Sequence, residues 1–369
     1  MSKKLHIISL DIPFPPDYGG MIDVFYKLKA LSELGIEITL HCFQYGDRKP
    51  SDQLNKYCRT VLYYPRKTGI SGVHFSLPYI VSSRRDKSLL KNLMRDDAPI
   101  LFEGLHSTYW LQHPSLQSRI KILRAHNVES DYYKLLAGNT VSFFKKLYYY
   151  TEANRLLIYE NNLKNIAHIL AISQADEKYL AKKYPAIDVQ YIPAFHAISN
   201  ITCIAGKGTY CLYHGNLAVA ENIKSVSYLV NEVFKNSNIP LIIAGKNPVQ
   251  EIKNFANEHI KIIADPDENE MKLLIQNAHI HVLPTFQNTG IKLKLLHALF
   301  AGRFCITNDN TLEQSLHENV LIGNTATDFK VLITEVMHKE FTEEDINNRK
   351  LLFENFTNEA GAKRIIRLL

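Results

Sequence analysis

Two lysines, Lys292 and Lys294, follow Gly290 in the run Pro284-Thr-Phe-Gln-Asn-Thr-Gly-Ile-Lys-Leu-Lys-Leu-Leu-His-Ala-Leu-Phe-Ala-Gly302. That order suits a phosphate. The apolar stretch 279–284 reads as a buried strand end, and Asn288 or Thr289 is placed to cap a following helix. Gly290 would let a ligand approach backbone N–H groups aligned with the helix dipole, and the two lysines would add full positive charge. The same lysines also suit the wet face of an amphipathic helix whose Leu293, Leu296 and Phe300 face a core. Other residues of chemical interest stand where the sequence pattern ends a strand. They are Gly19 and Gly20, His126 after the apolar run 120–123, Gly215 and Asn216, Gly245, and His297 three residues beyond Lys294. His106 and Glu103 follow another short apolar run. A structural hydrogen bond is expected for His106, and no attacking role is assigned to Glu103.

Such groups converge only if strands deliver them to one edge of a sheet. Strands are expected at 6–10, 37–43, 61–64, 100–102, 120–123, 166–171 and 189–192, with helices at 21–34, 142–165 and 174–183. A second series has strands at 210–213, 240–244, 260–263, 280–283 and 304–307, and helices at 220–234, 248–257, 268–277 and 290–301. Alternation of this kind predicts α/β architecture with two doubly wound parallel sheets. Ligands then bind beyond the carboxyl ends of the strands, where the glycine loops lie. Periodicity lapses near 193–208, which is read as the linker. Residues 1–195 are assigned to a first domain, 196–350 to a second, and 351–369 to a terminal helix.

A chain of 369 residues is long enough for two domains. It is 46% hydrophobic and 22% charged, the composition of an ordinary globular protein. No apolar run is long enough for a membrane span, and 5–10 is too short for a signal-peptide core, so a cytoplasmic location is expected. Five cysteines form no CxxC pair and are expected to be buried thiols. There is no Asp-x-Asp or metal-ligand spacing, and neither glycine loop completes GxGxxG, which weighs against a dinucleotide dehydrogenase. Residues 1–195 hold 26 Lys or Arg against 18 Asp or Glu, a net +8, while the rest nets −2. This mild excess gives no case for nucleic acid. Beside Phe143-Phe-Lys-Lys-Leu-Tyr-Tyr-Tyr150 it suits peripheral contact with an anionic membrane, although those rings also suit a core.

The run 290–302 resembles the glycine-basic-x-lysine-x-leucine-acid-alanine signature of family-four glycosyltransferases, retaining enzymes of the GT-B fold that use nucleotide-sugar donors. Pro15-Pro16-Asp17-Tyr18-Gly19-Gly20 resembles their first glycine loop, Arg124-Ala-His-Asn127 the site of a histidine beside the transferred sugar, and Tyr213-His-Gly-Asn-Leu217 the first loop of the donor domain. The resemblance implies two Rossmann-like domains facing a central cleft, the final helix crossing back to the first domain, and no metal or other cofactor. It implies donor contacts from Gly19, Gly20, Gly215, Asn216, Gly245, Thr289, Gly290, Lys292, Lys294 and His297, with His126 and Lys294 catalytic. The partners implied are a nucleotide-sugar donor and a glycan, lipid-linked glycan or small acceptor. Members usually carry glutamates where this chain has Thr289 and His297, and many carry an arginine and a lysine at Asn216 and about Glu221. A noncatalytic GT-B protein therefore stands as one competing expectation, and a sugar-nucleotide epimerase on a related fold, which also uses two such domains, as another.

Overall fold

The computed structural model describes residues 3–140, 142–286, 293–309 and 312–369. Seven strands form the first sheet: β1 (Lys4–Ser9), β2 (Glu37–Gln44), β3 (Thr60–Pro65), β4 (Ile100–Glu103), β5 (Lys121–Ala125), β6 (His168–Ala171) and β7 (Asp188–Tyr191). Their order is β3-β2-β1-β4-β5-β6-β7, and every pairing is parallel. β1 is buried from Leu5 onward, as a strand covered on both faces must be. Strand order reverses between β1 and β4, so a crevice opens beyond their carboxyl ends. Around this sheet lie α1 (Gly19–Glu33), α2 (Tyr79–Ser82), α3 (Lys87–Leu93), α4 (Glu129–Asn139), α5 (Phe143–Asn161) and α6 (Gln174–Lys183).

The second sheet contains β8 (Cys211–Asn216), β9 (Leu241–Lys246), β10 (Ile260–Ala264), β11 (Ile280–Val282), β12 (Phe304–Thr307) and β13 (Leu321–Ile322). It too is parallel, in the order β10-β9-β8-β11-β12-β13, with its reversal between β8 and β11. Around it lie α7 (Ala220–Tyr228), α8 (Gln250–Lys253), α9 (Glu268–Asn277), α10 (Leu293–Ala301), α11 (Ala326–Val336) and α12 (Glu343–Glu354). Its core is built from Leu229, Ile243, Val282, Leu296, Phe300 and their neighbours. Thr325 and Thr342 start α11 and α12 with capping boxes, each contributing about 1 kcal/mol to its helix.

Contacts divide the chain into residues 1–197 with 357–369, and residues 198–356. The last helix, α13 (Asn358–Ile366), begins after α12 has ended, so the return starts at Thr357 rather than at residue 351. Asn358 clamps the returning chain, accepting the His196 amide at 3.0 Å and donating to the His196 carbonyl at 2.7 Å. Ala362 and Ile365 then join the core beneath α1.

Several boundaries differ from expectation for local reasons. The helix expected over 142–165 ends at Asn161, before Asn165 takes a left-handed φ of 58°, and it is preceded by a separate α4. The helix expected over 220–234 relaxes after Tyr228 into a π turn at Leu229–Val233. β8 runs on through Asn216, so Gly215 and Asn216 belong to the strand end rather than to the loop after it, while Gly245 stands at the end of β9 as expected. All five cysteines are buried and unbridged.

Candidate active site

In the first unit the chemistry gathers where β1, β4 and β5 end and α1 begins. α1 exposes an uncapped start, since Tyr18 makes no side-chain capping bond and the first turn has no acid. The preceding loop is held from below. Asp11 accepts the Ile12 amide at 2.8 Å and the Tyr18 hydroxyl at 3.2 Å, and Arg48 reaches the Ile12 and Pro15 carbonyls and Asp17. A Cβ on Gly19 would meet nothing within 4 Å, and one on Gly20 would make only ordinary contacts, with Tyr18 at 3.5 Å and His126 Nδ1 at 3.8 Å. Neither glycine has a positive φ. Protein packing therefore does not demand glycine at either position.

Beneath this loop lies a buried network that the sequence patterns do not reveal. Asp23 and Lys27, one helical turn apart on α1, form a pair of 2.7 Å, and Lys27 also binds Glu103 at 2.7 Å. Arg124 closes on Asp23 at 2.9 Å and donates to the Ile192 and Pro193 carbonyls. All four side chains are fully buried. Two carboxylates thus meet two cations, which is the condition for keeping charge in a dry interior. Burial alone would raise the Glu103 pKa, but Lys27 and the bond from His126 outweigh it and hold it below its ordinary value. The same contest, won by Arg124 and Lys27, lowers Asp23.

His126 Nε2 lies 2.9 Å from Glu103 Oε2. An ionised carboxylate only accepts, so Nε2 carries the proton and donates. In the neutral ring Nδ1 is then the acceptor, turned toward the Gly20 side. His126 does not cap the next helix, whose N-cap is Val128. Asp23, Glu103 and His126 come near enough to hold a metal ion, a grouping assembled from three distant segments that sequence spacing misses. Lys27 and Arg124 already neutralise its carboxylates.

Gly104 takes a φ of 68°, and a Cβ there would press on His106 Nδ1 at 3.1 Å. The hydrogen bond expected for His106 is not made at Nδ1, which is buried without a partner and 3.9 Å from Glu129. Burial, with Arg84 nearby, lowers the His106 pKa well below its ordinary value. Glu129 moves the opposite way. Burial and the Glu160 charge push it up to about 8, so it is largely protonated at neutral pH.

In the second unit, Gly215 and Gly245 pair across β8 and β9. A Cβ on Gly245 would fall 1.7 Å from the Gly215 carbonyl oxygen, so this glycine is required by close strand approach whatever else it does. Asn222 lies over Gly215, donates to the Asn216 carbonyl at 2.8 Å, and accepts the Tyr213 hydroxyl at 2.9 Å. Lys294 reaches this point from α10. Its Nζ donates to Tyr213 Oη and to Asn222 Oδ1, each at 3.0 Å, and lies over the Tyr213 ring. The fold therefore brings Gly215, Asn216, Gly245 and Lys294 to one strand-end cluster.

His297, one turn along α10 from Lys294, is half-buried, and burial lowers its pKa. It is a neutral hydrogen-bonding group, not a cation. Glu221 serves the loop after β11, accepting the Thr285 hydroxyl at 2.7 Å and the Phe286 amide at 2.9 Å. Asn308 secures the same loop from β12 through the Thr285 amide and carbonyl. Thr289, Gly290 and Lys292 lie outside the described residues.

With this geometry in place, comparison with known proteins is specific. Residues 208–339 match the model of the family "Glycosyl transferases group 1". The match lies within the second unit and covers most of it. An "Uncharacterized 44.6 kDa protein in cps region" of Klebsiella pneumoniae is 27% identical over 329 residues, 82% of either chain. Among solved structures, sucrose-phosphate synthase from Thermosynechococcus elongatus superposes with a TM-score of 0.69 at 14% identity, covering 99% of this chain and 98% of the other. An S. aureus TarM variant in complex with fondaparinux, alpha-GlcNAc-glycerol and UDP gives 0.68 at 10% identity, covering 99% of both. The fold is GT-B, with two Rossmann-like α/β units.

Proposed function

We propose that the chain transfers a sugar from a nucleoside diphosphate sugar to a glycan, lipid-linked glycan or small acceptor, with retention of configuration. The carrying observation is the Lys294 ammonium at the switch-point edge of β8, inside the segment that matches the group 1 family and oriented by Tyr213 and Asn222. Negative charge grows on the diphosphate as the glycosidic bond breaks, and a preorganised cation stabilises that charge more in the transition state than in the ground state. In this reading Lys294, with Lys292 and the amides after Gly290, receives the leaving diphosphate. Gly215, Asn216 and Gly245 line its approach, and His297 offers the ribose a neutral hydrogen bond. His126 Nδ1, fixed as an acceptor by Glu103, accepts a hydrogen bond from a hydroxyl of the transferred sugar, with Gly19 and Gly20 leaving room for the ligand. No metal is needed for this chemistry. Support for a nucleoside diphosphate ligand comes also from the TarM variant, whose complex contains UDP.

Calorimetric titration with UDP, GDP and ADP, comparing the native chain with Lys294→Met, tests the reading. Loss of a charge-assisted contact worth about 1.5–3 kcal/mol should weaken nucleotide binding roughly 10- to 100-fold. Equal binding by both proteins removes Lys294 from the donor site. Binding without sugar transfer to any acceptor would favour the noncatalytic reading, to which the neutral His297 and Thr289 also point.

A further inference from the structure

The first half of α5 is solvent-exposed in a way its sequence makes costly. Phe143, Phe144 and Leu147 are 73%, 82% and 57% exposed, and burial along the helix begins only at Glu152. A second apolar projection, the turn 69–78, presents Ile70 at 93% and Phe75 at 99% exposure. The two belong to one local structure, because the Tyr79 amide that ends the turn donates to Glu152 of α5 at 2.6 Å. Large side chains left in water like this mark an interaction surface.

Charge indicates what covers it. Residues 142–151 include Lys145 and Lys146 and no acid, while 66–79 include Arg66, Lys67 and His74 and again no acid. Lys145, Lys146 and Lys67 are exposed. Phe rings that enter the headgroup boundary, flanked by lysines that remain at headgroup level, are the composition of a peripheral membrane anchor. Among the described residues no helix is long and apolar enough to cross a bilayer. We propose that the exposed half of α5, together with the turn 69–78, docks on an anionic lipid surface, inserting Phe143, Phe144 and Phe75. This does not depend on sugar transfer. If transfer holds, docking would set the first unit beside a lipid-linked acceptor.

The test is co-sedimentation of the full chain with vesicles of phosphatidylcholine alone and of phosphatidylcholine mixed with phosphatidylglycerol, without nucleotide or acceptor. The native protein should sediment with the mixed vesicles and stay in solution with the neutral ones. Removing two lysines near the surface, each worth about 1 kcal/mol, should make Lys145→Ala/Lys146→Ala bind the mixed vesicles about thirty-fold more weakly. Phe143→Ser/Phe144→Ser should lose binding at least as strongly, while Leu351→Ser, an exposed apolar residue on α12, should bind like the native chain. These side chains are exposed, so unchanged thermal unfolding is expected of every variant and certifies the comparison. Failure of the native chain to bind mixed vesicles would overturn the proposal, as would equal binding to both vesicle types. A dimer in solution that Phe143→Ser/Phe144→Ser dissociates, with vesicle binding unaltered, would assign the surface to a second copy instead.

Discussion

Glu103→Gln isolates what the buried network does for His126. The carboxylate now bridges Lys27 Nζ at 2.7 Å and His126 Nε2 at 2.9 Å. An amide keeps the shape but has one accepting and one donating end. Lys27 can only donate, so it takes the amide oxygen, and the amide NH2 is left facing Nε2. His126 must then accept at Nε2 and carry its proton on Nδ1, the reverse of the native tautomer. The substitution also leaves Asp23 alone to balance Lys27 and Arg124, one buried positive charge in excess. Breaking a buried pair costs about 3–5 kcal/mol, and Asp23 still holds Lys27, so the lower end, about 3 kcal/mol, is expected. Because the folded Glu103 pKa is depressed, its contribution is present above the unfolded value and disappears as pH falls through the folded one. Urea unfolding should therefore show a difference between native and variant at neutral pH that shrinks in acid. Imidazole nitrogen chemical shifts should show the proton moving from Nε2 to Nδ1, and the proposed sugar transfer should fall in kcat. A variant as stable as the native chain, with His126 still protonated on Nε2, would refute the reasoning.

Three further substitutions separate packing from ligand contact and structure from titration. Gly245→Ala should cost more than 3 kcal/mol, or prevent soluble folding, because the added carbon would overlap the Gly215 carbonyl; Gly20→Ala should change stability by less than about 1 kcal/mol by thermal unfolding, so that any loss of substrate binding reports the ligand itself. Glu129→Gln should stabilise the chain by about 2–3 kcal/mol at pH 7, since one pKa unit is about 1.4 kcal/mol and burial lifts this carboxyl from 4.5 to about 8. A raised folded pKa means that the native carboxyl is best tolerated below its unfolded value and penalises folding progressively as pH rises toward about 8; unfolding measured across that interval should be flatter in the variant, and parallel curves would count against a buried, protonated Glu129.

The two parallel sheets were legible because strands buried on both faces are apolar runs, and the glycines near their ends marked where a ligand is expected to approach. Gly245 shows the limit of that signal: strand approach alone requires it. The network around His126 was hidden for a more general reason. Asp23 and Lys27 are spaced one turn apart with opposite charge, the pattern of a solvated pair on a helix surface, yet they lie on the same side of α1 as Val24 and Leu28. What buries them is Glu103 and Arg124, each at least 76 positions away along the chain, and neither strand announces its inward charge. Short-range patterning can report a face or a turn, but it cannot report that four charges cancel. That cancellation explains an otherwise costly arrangement: a lone carboxylate under His126 would protonate in a dry interior and lose its hold on the ring. Lys27 keeps Glu103 ionised, Asp23 balances the positive charge that Lys27 and Arg124 bring beyond what Glu103 offsets, and the result is one imidazole nitrogen committed inward so that the other is presented outward.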